Sequence, residues 1–437
     1  MKQTVEKGKT LLVDGPASVA LESGKVEVLG SQIGTTSKTV IREGKRLPFV
    51  VEETATFDIS LGDSATAVEI EGNTTPLSWI KSCEEALNLQ AEPATTLVLG
   101  TVDTGKTSFC TYLANKALKE KRKVAVLDGD LGQSDIGPPS TVSYAFVTKT
   151  TTDLFNLQAR NAFFVGDTSP SRSPNKVIEG LALLKKEILA NNPEFIVINT
   201  DGWTEGENAV RYKVKLVEEL KPDLVFCIQK TDELTHIINA LEKFRIITIE
   251  SPETIRHRDM EKRRSLRELG YIKHFGNAKV QSLSLSWLKF EGNELFGLGR
   301  THMSPKQARK IYDLLGMKTL HLSELPDRIC VVIGRRRWIS SENIKKAEEF
   351  TKKKIIVTRK GDEEGLLAAM YDAKRKFLGI GVVQEIDYLR RTLKILTPVS
   401  GEIASLSIGR IRLDKNMKEI PTFEEESLDY SSFNRLF

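Results

Sequence analysis

Gly100-Thr101-Val102-Asp103-Thr104-Gly105-Lys106-Thr107 fits the pattern G-x-x-x-x-G-K-[ST] at every specified position. The preceding run, Thr95 to Leu99, is β-branched and apolar and reads as a buried strand. From Lys106 onward Phe109, Leu113 and Ala117 recur four apart, as on one face of a helix. Two glycines let successive backbone N–H groups turn towards one oxyanion, and the helix N-terminus adds its positive dipole end. A chance match in a chain of this length has a probability on the order of one in a hundred before the strand and helix are required. Gly100 to Ser108 therefore reads as a triphosphate cradle, with Lys106 reaching the β- and γ-phosphates and Thr107 holding magnesium.

The composition sets wide bounds around that cradle. At 437 residues, two or three domains are expected. Lys and Arg number 64 against 59 Asp and Glu, so a net charge of +5 leaves partners to be judged from local clusters. Cys83, Cys110, Cys227 and Cys330 stand far apart without a C-x-x-C pair, which argues against zinc or redox chemistry. No apolar run approaches the length of a membrane span, and the first ten residues have neither a signal core nor an Arg-rich amphipathic pattern. A soluble, cytoplasmic protein without membrane contact is the expectation.

Outward from the cradle, the pattern changes twice. Thr10 to Val13, Ala17 to Leu21, Lys25 to Leu29, Pro48 to Val51 and Ala55 to Ile59 alternate apolar and polar between glycines, predicting a small β-sandwich or barrel. It holds no catalytic-looking constellation and reads as a packing or nucleotide-covering module. Thr75 to Asn88 predicts a connecting helix with Pro76 near its start. Thr96 to Leu99, Val124 to Asp128, Phe163 to Gly166, Phe195 to Asn199, Leu224 to Ile228 and Ile246 to Glu250 then alternate with helical stretches. That order implies a parallel sheet covered by helices on both faces, with its ligand beyond the carboxyl ends of the strands. After about Val280 a helix at Pro305 to Leu315 and several strands predict a second β-rich domain. The expected fold is an α/β P-loop NTPase core at 76–280, with a lid near 256–275, between an N-terminal β-sandwich-like domain at 1–75 and a C-terminal β-rich domain at 281–437.

Candidate chemistry stands at the strand ends. In Leu127-Asp128-Gly129-Asp130-Leu131-Gly132-Gln133 a carboxylate can hold magnesium through water or take a proton from an attacking hydroxyl. Neither aspartate has a glycine three residues on, so the D-x-x-G of a regulatory GTPase is missing, and Gln229-Lys230-Thr231-Asp232 only weakly approaches the guanine-reading N-K-x-D. Gly166-Asp167-Thr168-Ser169-Pro170 offers hydroxyls to phosphates. Trp203, in Asn199-Thr200-Asp201-Gly202-Trp203-Thr204-Glu205-Gly206, suits either a base-stacking or a structural role. The basic segment Arg256 to Arg267 places Arg263 and Arg267 on one helix face and suits a lid whose guanidinium groups meet the transferring phosphoryl.

GTVDTGKT, DGDLGQSDIGPPSTVS, GDTSP, NTDGW and the arginine-rich lid ending Tyr271-Ile272-Lys273-His274-Phe275, in that order, resemble the polynucleotide 5′-hydroxyl kinases. These include the kinase subunit of the eukaryotic pre-mRNA cleavage complex, nucleolar rRNA-processing kinases and archaeal relatives. The resemblance implies transfer of the ATP γ-phosphate to the 5′-hydroxyl end of RNA, and of single-stranded DNA as well, with Mg2+ or another divalent cation and with RNA-processing proteins as partners. Carried over residue by residue, Lys106 and Thr107 bind phosphates and metal, Asp130 orients and deprotonates the 5′-hydroxyl and joins the metal site, and Gln133 supports the metal or phosphate shell. Thr168 clasps the phosphoryl region, with Ser169 beside it, and Trp203 stacks near the 5′ end. Arg263 and Arg267 stabilise the transition state, with Arg256, Arg258 and Arg264 in the same segment. Arg335-Arg336-Arg337-Trp338 and Lys352-Lys353-Lys354 are candidate further nucleic-acid contacts. Two other readings stand beside the enzyme: an ATP-holding scaffold with little turnover, and a GTP-dependent switch, which the missing D-x-x-G disfavours.

Overall fold

The computed structural model describes residues 1–35, 37–291 and 303–420. The chain forms two compact units, Met1–Gly270 and Tyr271–Phe437, where the sequence suggests three domains. The N-terminal strands and the nucleotide-binding core share the first unit, and the second boundary falls inside the lid helix.

The N-terminal sheet has seven strands built around two long ones, Ala17–Val28 and Arg46–Leu61, which pair antiparallel. Each is one strand where the sequence pattern suggests two short ones. The reason is a series of register shifts between Leu21 and Val26 that lets the strand bend without ending. Gly24 sits in this bend with φ +95°, and a Cβ there would lie 2.5 Å from the Thr54 carbonyl. Inward-facing residues such as Leu11, Val19, Phe49 and Phe57 fill the core of this sheet.

Helix α1 (Leu77–Leu87) leads into the nucleotide-binding core, with Pro76 at its N-cap. There follow β1 (Ala94–Gly100), α2 (Lys106–Lys119), β2 (Val124–Gly129), β3 (Thr141–Val147), β4 (Asn161–Phe164), α3 (Pro174–Leu189) and β5 (Phe195–Thr200). The core then continues with α4 (Glu207–Leu220), β6 (Leu224–Gln229), α5 (Thr235–Ala240), β7 (Ile246–Glu250) and the lid helix α6 (Met260–His274). The sheet order is β4-β3-β2-β5-β1-β6-β7. Strands β2, β5, β1, β6 and β7 run parallel, as expected.

The edge departs from expectation, because β3 was not foreseen and runs antiparallel to both β2 and β4. The segment joining β2 to β3 contains no helix, and without a crossover the chain can only return antiparallel. Every residue of β1 is buried, as a strand covered on both faces requires. Leu97 and Leu99 face the core under α3 and α4, whereas Ala94 and Val98 face Trp79 of α1 and Phe109 of α2. Pairing of Asn199 with both Val98 and Asp128 aligns the carboxyl ends of β1, β2 and β5.

The second unit contains a seven-stranded sheet in which Phe377–Asp387 pairs with Leu366–Tyr371 and Thr392–Thr397. It also holds a smaller three-stranded sheet: β8 (His321–Glu324), β9 (Arg328–Ile333) and β10 (Lys354–Arg359), accompanied by α7 (Pro305–Leu315) and α8 (Ser341–Thr351). Strands β9 and β10 run parallel with α8 as their crossover, so part of this β-rich region is α/β. Residues 421–437 of the tail lie outside the described residues. No helix among the described residues is long and apolar enough to cross a membrane, and all four cysteines are buried and outside any disulfide.

Gly24→Ala would force an L-residue into the left-handed region against Thr54 and Ala55. It is expected to destabilise the first unit by about 1–3 kcal/mol, read as a lowered thermal midpoint. An unchanged midpoint would show that the bend tolerates a side chain.

Candidate active site

The cradle between β1 and α2 is built from constrained backbone. Gly105 caps α2 in the left-handed region, φ +98°, and Asp103 lies there as well, φ +54°. A Cβ on Gly100 would come 2.6 Å from Thr104 Oγ1 and 3.0 Å from the Ile228 carbonyl, so the strand can turn here only as glycine. Thr104 Oγ1 donates to the Thr101 carbonyl at 3.0 Å. Lys106 Nζ folds back onto the same carbonyl at 2.6 Å. Burial pushes the Lys106 ammonium down to about 8, against the opposing pull of the Asp130 carboxylate.

Three carboxylates gather at the ends of β2 and β5. Asp128 is fully buried. Its Oδ2 accepts from the Asp135 and Ile136 amides at 2.9 and 3.4 Å, and its Oδ1 from Asn199 Nδ2 at 3.0 Å. Burial, with the nearby charges of Asp135 and Asp130, pushes the Asp128 carboxyl up to about 7. The Asn199 amide also lies 3.5 Å from Thr107 Oγ1, so one side chain ties the cradle hydroxyl to the buried carboxyl.

Asp130 Oδ1 accepts from the Gly132 and Gln133 amides at 3.1 and 2.9 Å. Its Oδ2 makes no hydrogen bond among the described residues, and Asp130 is part of the lining of the cavity beside the cradle. Burial raises the Asp130 pKa and Asp201 adds to the rise, while Lys106 opposes it. Asp201 is itself engaged, accepting from Tyr212 Oη at 2.7 Å and from Lys213 Nζ and the Trp203 amide at 2.9 Å each. The wholly buried Lys213 thus has its countercharge beside it.

The cavity, of about 170 Å³, is closed by the N-terminal sheet and by α6. Val102 to Ser108 form one wall, and Asp130, Gly132 and Gln133 a second. Arg42 to Arg46 and Arg256, Arg258, Arg263 and Arg267 complete it. Asp103 reaches from the cradle to the lid, accepting from Arg263 Nη2 and from the Arg258 amide at 2.8 Å each. Burial alone would raise the Asp103 carboxyl, but these bonds and the two guanidinium charges hold it below the usual carboxylate range. Gln133 Nε2 donates to the Arg263 carbonyl at 3.1 Å, tying the Asp130 loop to the same helix.

The N-terminal loop grips both sides. Arg42 and Lys45 pair with Asp135 and Asp153 beyond the Asp130 loop. Arg258 Nε donates to the Gly44 carbonyl at 3.1 Å, Lys262 pairs with Glu43, and Arg46 binds Asp14 through two 2.8 Å bonds.

The structure brings together most of the residues singled out in the sequence. Val102, Asp103, Thr104, Gly105, Lys106, Thr107, Ser108, Asp130, Gln133, Arg263 and Arg267 all line the cavity; Gly100 and Thr101 lie behind it. Thr168 is not in the lining; its amide is held by Asp167 Oδ1 at 2.7 Å and its carbonyl lies against Gly132. Trp203 is not in the lining either, being stacked on Tyr212 at 5.5 Å and packed against the core. Arg264 pairs along the helix with Glu268, and Arg256 points towards Asp14. Gln229 Oε1 accepts from the Leu234 amide and Lys230 meets His257, so the strand exit resembling a guanine-reading motif is occupied locally. No group of three or more His, Cys, Asp or Glu able to hold a metal occurs among the described residues.

The sequence reading missed Asn199, the Asp201–Tyr212–Lys213 cluster and the 42–46 loop. The visible signal for the last was Arg42-Glu43-Gly44-Lys45-Arg46, a dense run of charge inside an otherwise alternating segment.

Residues 100–277 match the family model described as mRNA cleavage and polyadenylation factor CLP1 P-loop. That match covers the central segment of the chain. Similar proteins include a polyribonucleotide 5′-hydroxyl-kinase of Methanocaldococcus jannaschii, 28% identical over 357 residues, covering 80% of this chain and 94% of the relative. The kinase of the same description from Pyrococcus furiosus is 29% identical over 341 residues, covering 77% and 92%. A CLP1 homologue of Brugia malayi is 25% identical over 293 residues, covering 62% and 67%. Among solved structures, a wild-type Clp1p–Pcf11p complex gives a TM-score of 0.65 at 16% identity, covering 94% of this chain and 97% of that one. This last likeness extends the shared fold from the CLP1 P-loop core to the flanking sheets.

Arg42→Ala would leave Asp135 and Asp153 with Lys45 as their one remaining cation in this cluster. A loss of about 3 kcal/mol is expected, measured by denaturant unfolding. Burial would raise the Asp153 carboxyl, but Lys45 and Arg42 hold it well below the usual carboxylate range. The contribution is therefore fully present above about pH 4 and is lost as pH falls further. A variant whose stability falls with acid as steeply as wild type would refute this assignment.

Proposed function

We propose that the chain is an ATP-dependent polynucleotide 5′-hydroxyl kinase acting on RNA ends, and on single-stranded DNA as a second acceptor. The observation that carries the reading is that Asp130, whose Oδ2 makes no hydrogen bond among the described residues, lines the same cavity as Gly105, Lys106 and Thr107. The constrained cradle fits a nucleoside triphosphate, since its glycines admit close backbone approach and α2 points its N-terminus at the space. ATP is the donor. A divalent cation suits the site as well: magnesium keeps most of its waters and takes one or two protein oxygens beside phosphate oxygens, so Thr107 Oγ1 would hold it directly and Asp130 through one of those waters, without an all-protein cage.

The chemistry follows from these positions. The 5′-oxygen forms a bond to the γ-phosphorus as the bond to the β-bridging oxygen breaks, and the hydroxyl proton passes to Asp130 Oδ2. Phosphoryl transfer of this type draws on alignment and charge neutralisation more than on early deprotonation. A carboxylate whose pKa is raised by burial is suited to take that proton late. Lys106 exchanges the Thr101 carbonyl for phosphate oxygens. Arg263 exchanges Asp103 for the transferring group, and Arg267 stands beside it. Gln133 keeps the lid and the Asp130 loop in register, Thr168 supports that loop from behind, and Trp203, outside the cavity lining and stacked on Tyr212, offers its half-buried ring to a base. The scaffold reading accounts for the cradle but gives the free carboxylate oxygen no task.

Incubation with γ-labelled ATP and a 5′-hydroxyl RNA oligonucleotide tests the reading. Asp130→Asn is expected to lower kcat by about 10²–10⁴-fold with ATP affinity retained. Wild-type turnover in this variant would overturn the role of the carboxylate, and label transfer absent from the unaltered protein would favour the scaffold. Trp203→Ala is expected to raise the KM for the oligonucleotide and leave that for ATP in place; an unaltered oligonucleotide KM removes the stacking role.

Lys106 adds a pH test. With its pKa lowered to about 8, the free protein carries a charged Lys106 below that pH and a neutral one above it. Phosphates favour the charged form, so above pH 8 ATP binding takes up a proton and weakens by up to about tenfold per pH unit. Titration calorimetry in buffers of different ionisation enthalpy should find that uptake at pH 9 and little of it at pH 7. Equal proton uptake at both would contradict the depressed pKa.

A further inference from the structure

The small α/β lobe of the second unit concentrates cations at one end. Strands β9 and β10 are parallel neighbours with Ile333 opposite Arg359, so the segments that follow them emerge side by side. The first is Gly334-Arg335-Arg336-Arg337-Trp338 and the second Lys360-Gly361. Their backbones are joined, the Lys360 amide donating to the Ile333 carbonyl at 2.9 Å and Arg359 Nε to the Arg337 carbonyl at 3.3 Å. The Arg335 guanidinium lies against Gly361 and reaches Glu364 at 3.3 Å.

Two features separate this end from an ordinary solvated charge run. Arg336 and Arg337 make no ion pair among the described residues. Trp338, the next residue, is 68% exposed and has no aromatic neighbour there. Five cations (Arg335, Arg336, Arg337, Arg359, Lys360) thus face four carboxylates, of which Glu364 and Glu385 pair with cations, while Asp362 and Glu363 accept from the Arg359 and Gly361 amides. The other basic run, Lys352-Lys353-Lys354, behaves differently. Lys353 Nζ is spent on Glu324 and the Leu325 carbonyl, at 2.8 Å each, which makes it a structural tie.

We propose that the β9 and β10 carboxyl ends form a second contact surface for single-stranded RNA, separate from the kinase cavity. Arg336 and Arg337 meet backbone phosphates, and Trp338 stacks on a base. The placement is the one where open parallel sheets bind ligands, outside the strand ends. A cationic edge with one exposed ring is the combination that holds single strands without sequence preference. The inference deepens the kinase reading, on which it rests: a lobe that binds RNA would favour long acceptors over short ones.

The test uses the full chain and the variants Arg336→Ala/Arg337→Ala and Trp338→Ala, whose exposed positions leave the core untouched. Fluorescence anisotropy with a labelled single-stranded RNA of about 16 nucleotides, at several salt concentrations, reads affinity. The double arginine variant is expected to weaken binding and to flatten the dependence of log K on log salt by about 1.4, that is, about 0.7 for each phosphate contact on a single strand. Trp338→Ala is expected to weaken binding about fivefold or more with the salt slope unchanged. Phosphorylation of a 5′-hydroxyl dinucleotide should be unaffected in both. Unchanged RNA affinity and slope would overturn the proposal and leave the surface to a protein partner or to solubility. Equal losses on the dinucleotide and the long RNA would overturn it too, because the residues would then act through the kinase site. A wild-type protein that phosphorylates neither the dinucleotide nor the long RNA would count against the kinase reading alone, since the binding measurement stands by itself.

Discussion

Two cations from the N-terminal sheet, Arg42 and Lys45, meet two carboxylates of the nucleotide-binding core, Asp135 and Asp153, in a largely buried cluster. Removing charges from water is costly, and the cost is offset only when each charge finds a partner in good geometry. All four are partnered, and Arg42 also lies over the Phe155 ring at 4.4 Å. The cluster therefore sets where the sheet can sit. Shifting it would separate charges that have little water to fall back on. Because Asp135 is in the loop that carries Asp130 and Gln133, the same cluster also sets one wall of the cavity, and Asp128 holds that loop from below through the Asp135 and Ile136 amides.

The inside of the cavity is arranged by competition between burial and pairing. Lys106, Asp128, Asp130, Asp201 and Lys213 crowd the ends of three adjacent strands, and the outcome differs for each. Asp201 and Lys213 neutralise one another at 2.9 Å. Asp128 has amide donors but no cation, so burial wins and its pKa rises to about 7. Asp130 is intermediate, raised by burial yet restrained by Lys106. One carboxylate is thereby structural, one is a hydrogen-bonded support for Asn199 and Thr107, and one keeps an oxygen without a hydrogen bond among the described residues. Similar residue types acquire different duties because their neighbours differ.

How much of this the sequence carried depended on range. The cradle was legible because its chemistry is local: glycines at fixed offsets, a lysine and a threonine, all between one strand and one helix. The parallel strands were legible from their unbroken apolar runs. Thr141–Val147 was not, because a strand's direction depends on the length and content of its connection, and the motif-rich segment before it drew attention to chemistry instead. The bend at Gly24 was read as a chain break since a glycine in a strand marks a bulge or an ending equally well. Helix α8 escaped because its polar face dominates and only Ala347 is fully buried. The 42–46 loop is the instructive case: its charges look like a solvated turn until partners more than 90 residues away, Asp135 and Asp153, supply their meaning.

The lid follows from the same electrostatics. A guanidinium meant to bind phosphoryl oxygens needs a resting partner that neither strands it in a poor environment nor holds it too well. Asp103 meets that need from the cradle itself, binding Arg263 by one 2.8 Å bond and Arg258 chiefly through its backbone amide. Its backbone is left-handed there, φ +54°. Under the role proposed for Arg263, a charge-assisted single bond of this kind is one that the denser charge of a phosphate can replace. The Arg258 amide then keeps Asp103 satisfied after the exchange. The contact between the cradle and α6 thus turns on one guanidinium bond, set within the surrounding grip of Glu43, Gly44 and Gln133 on the same segment.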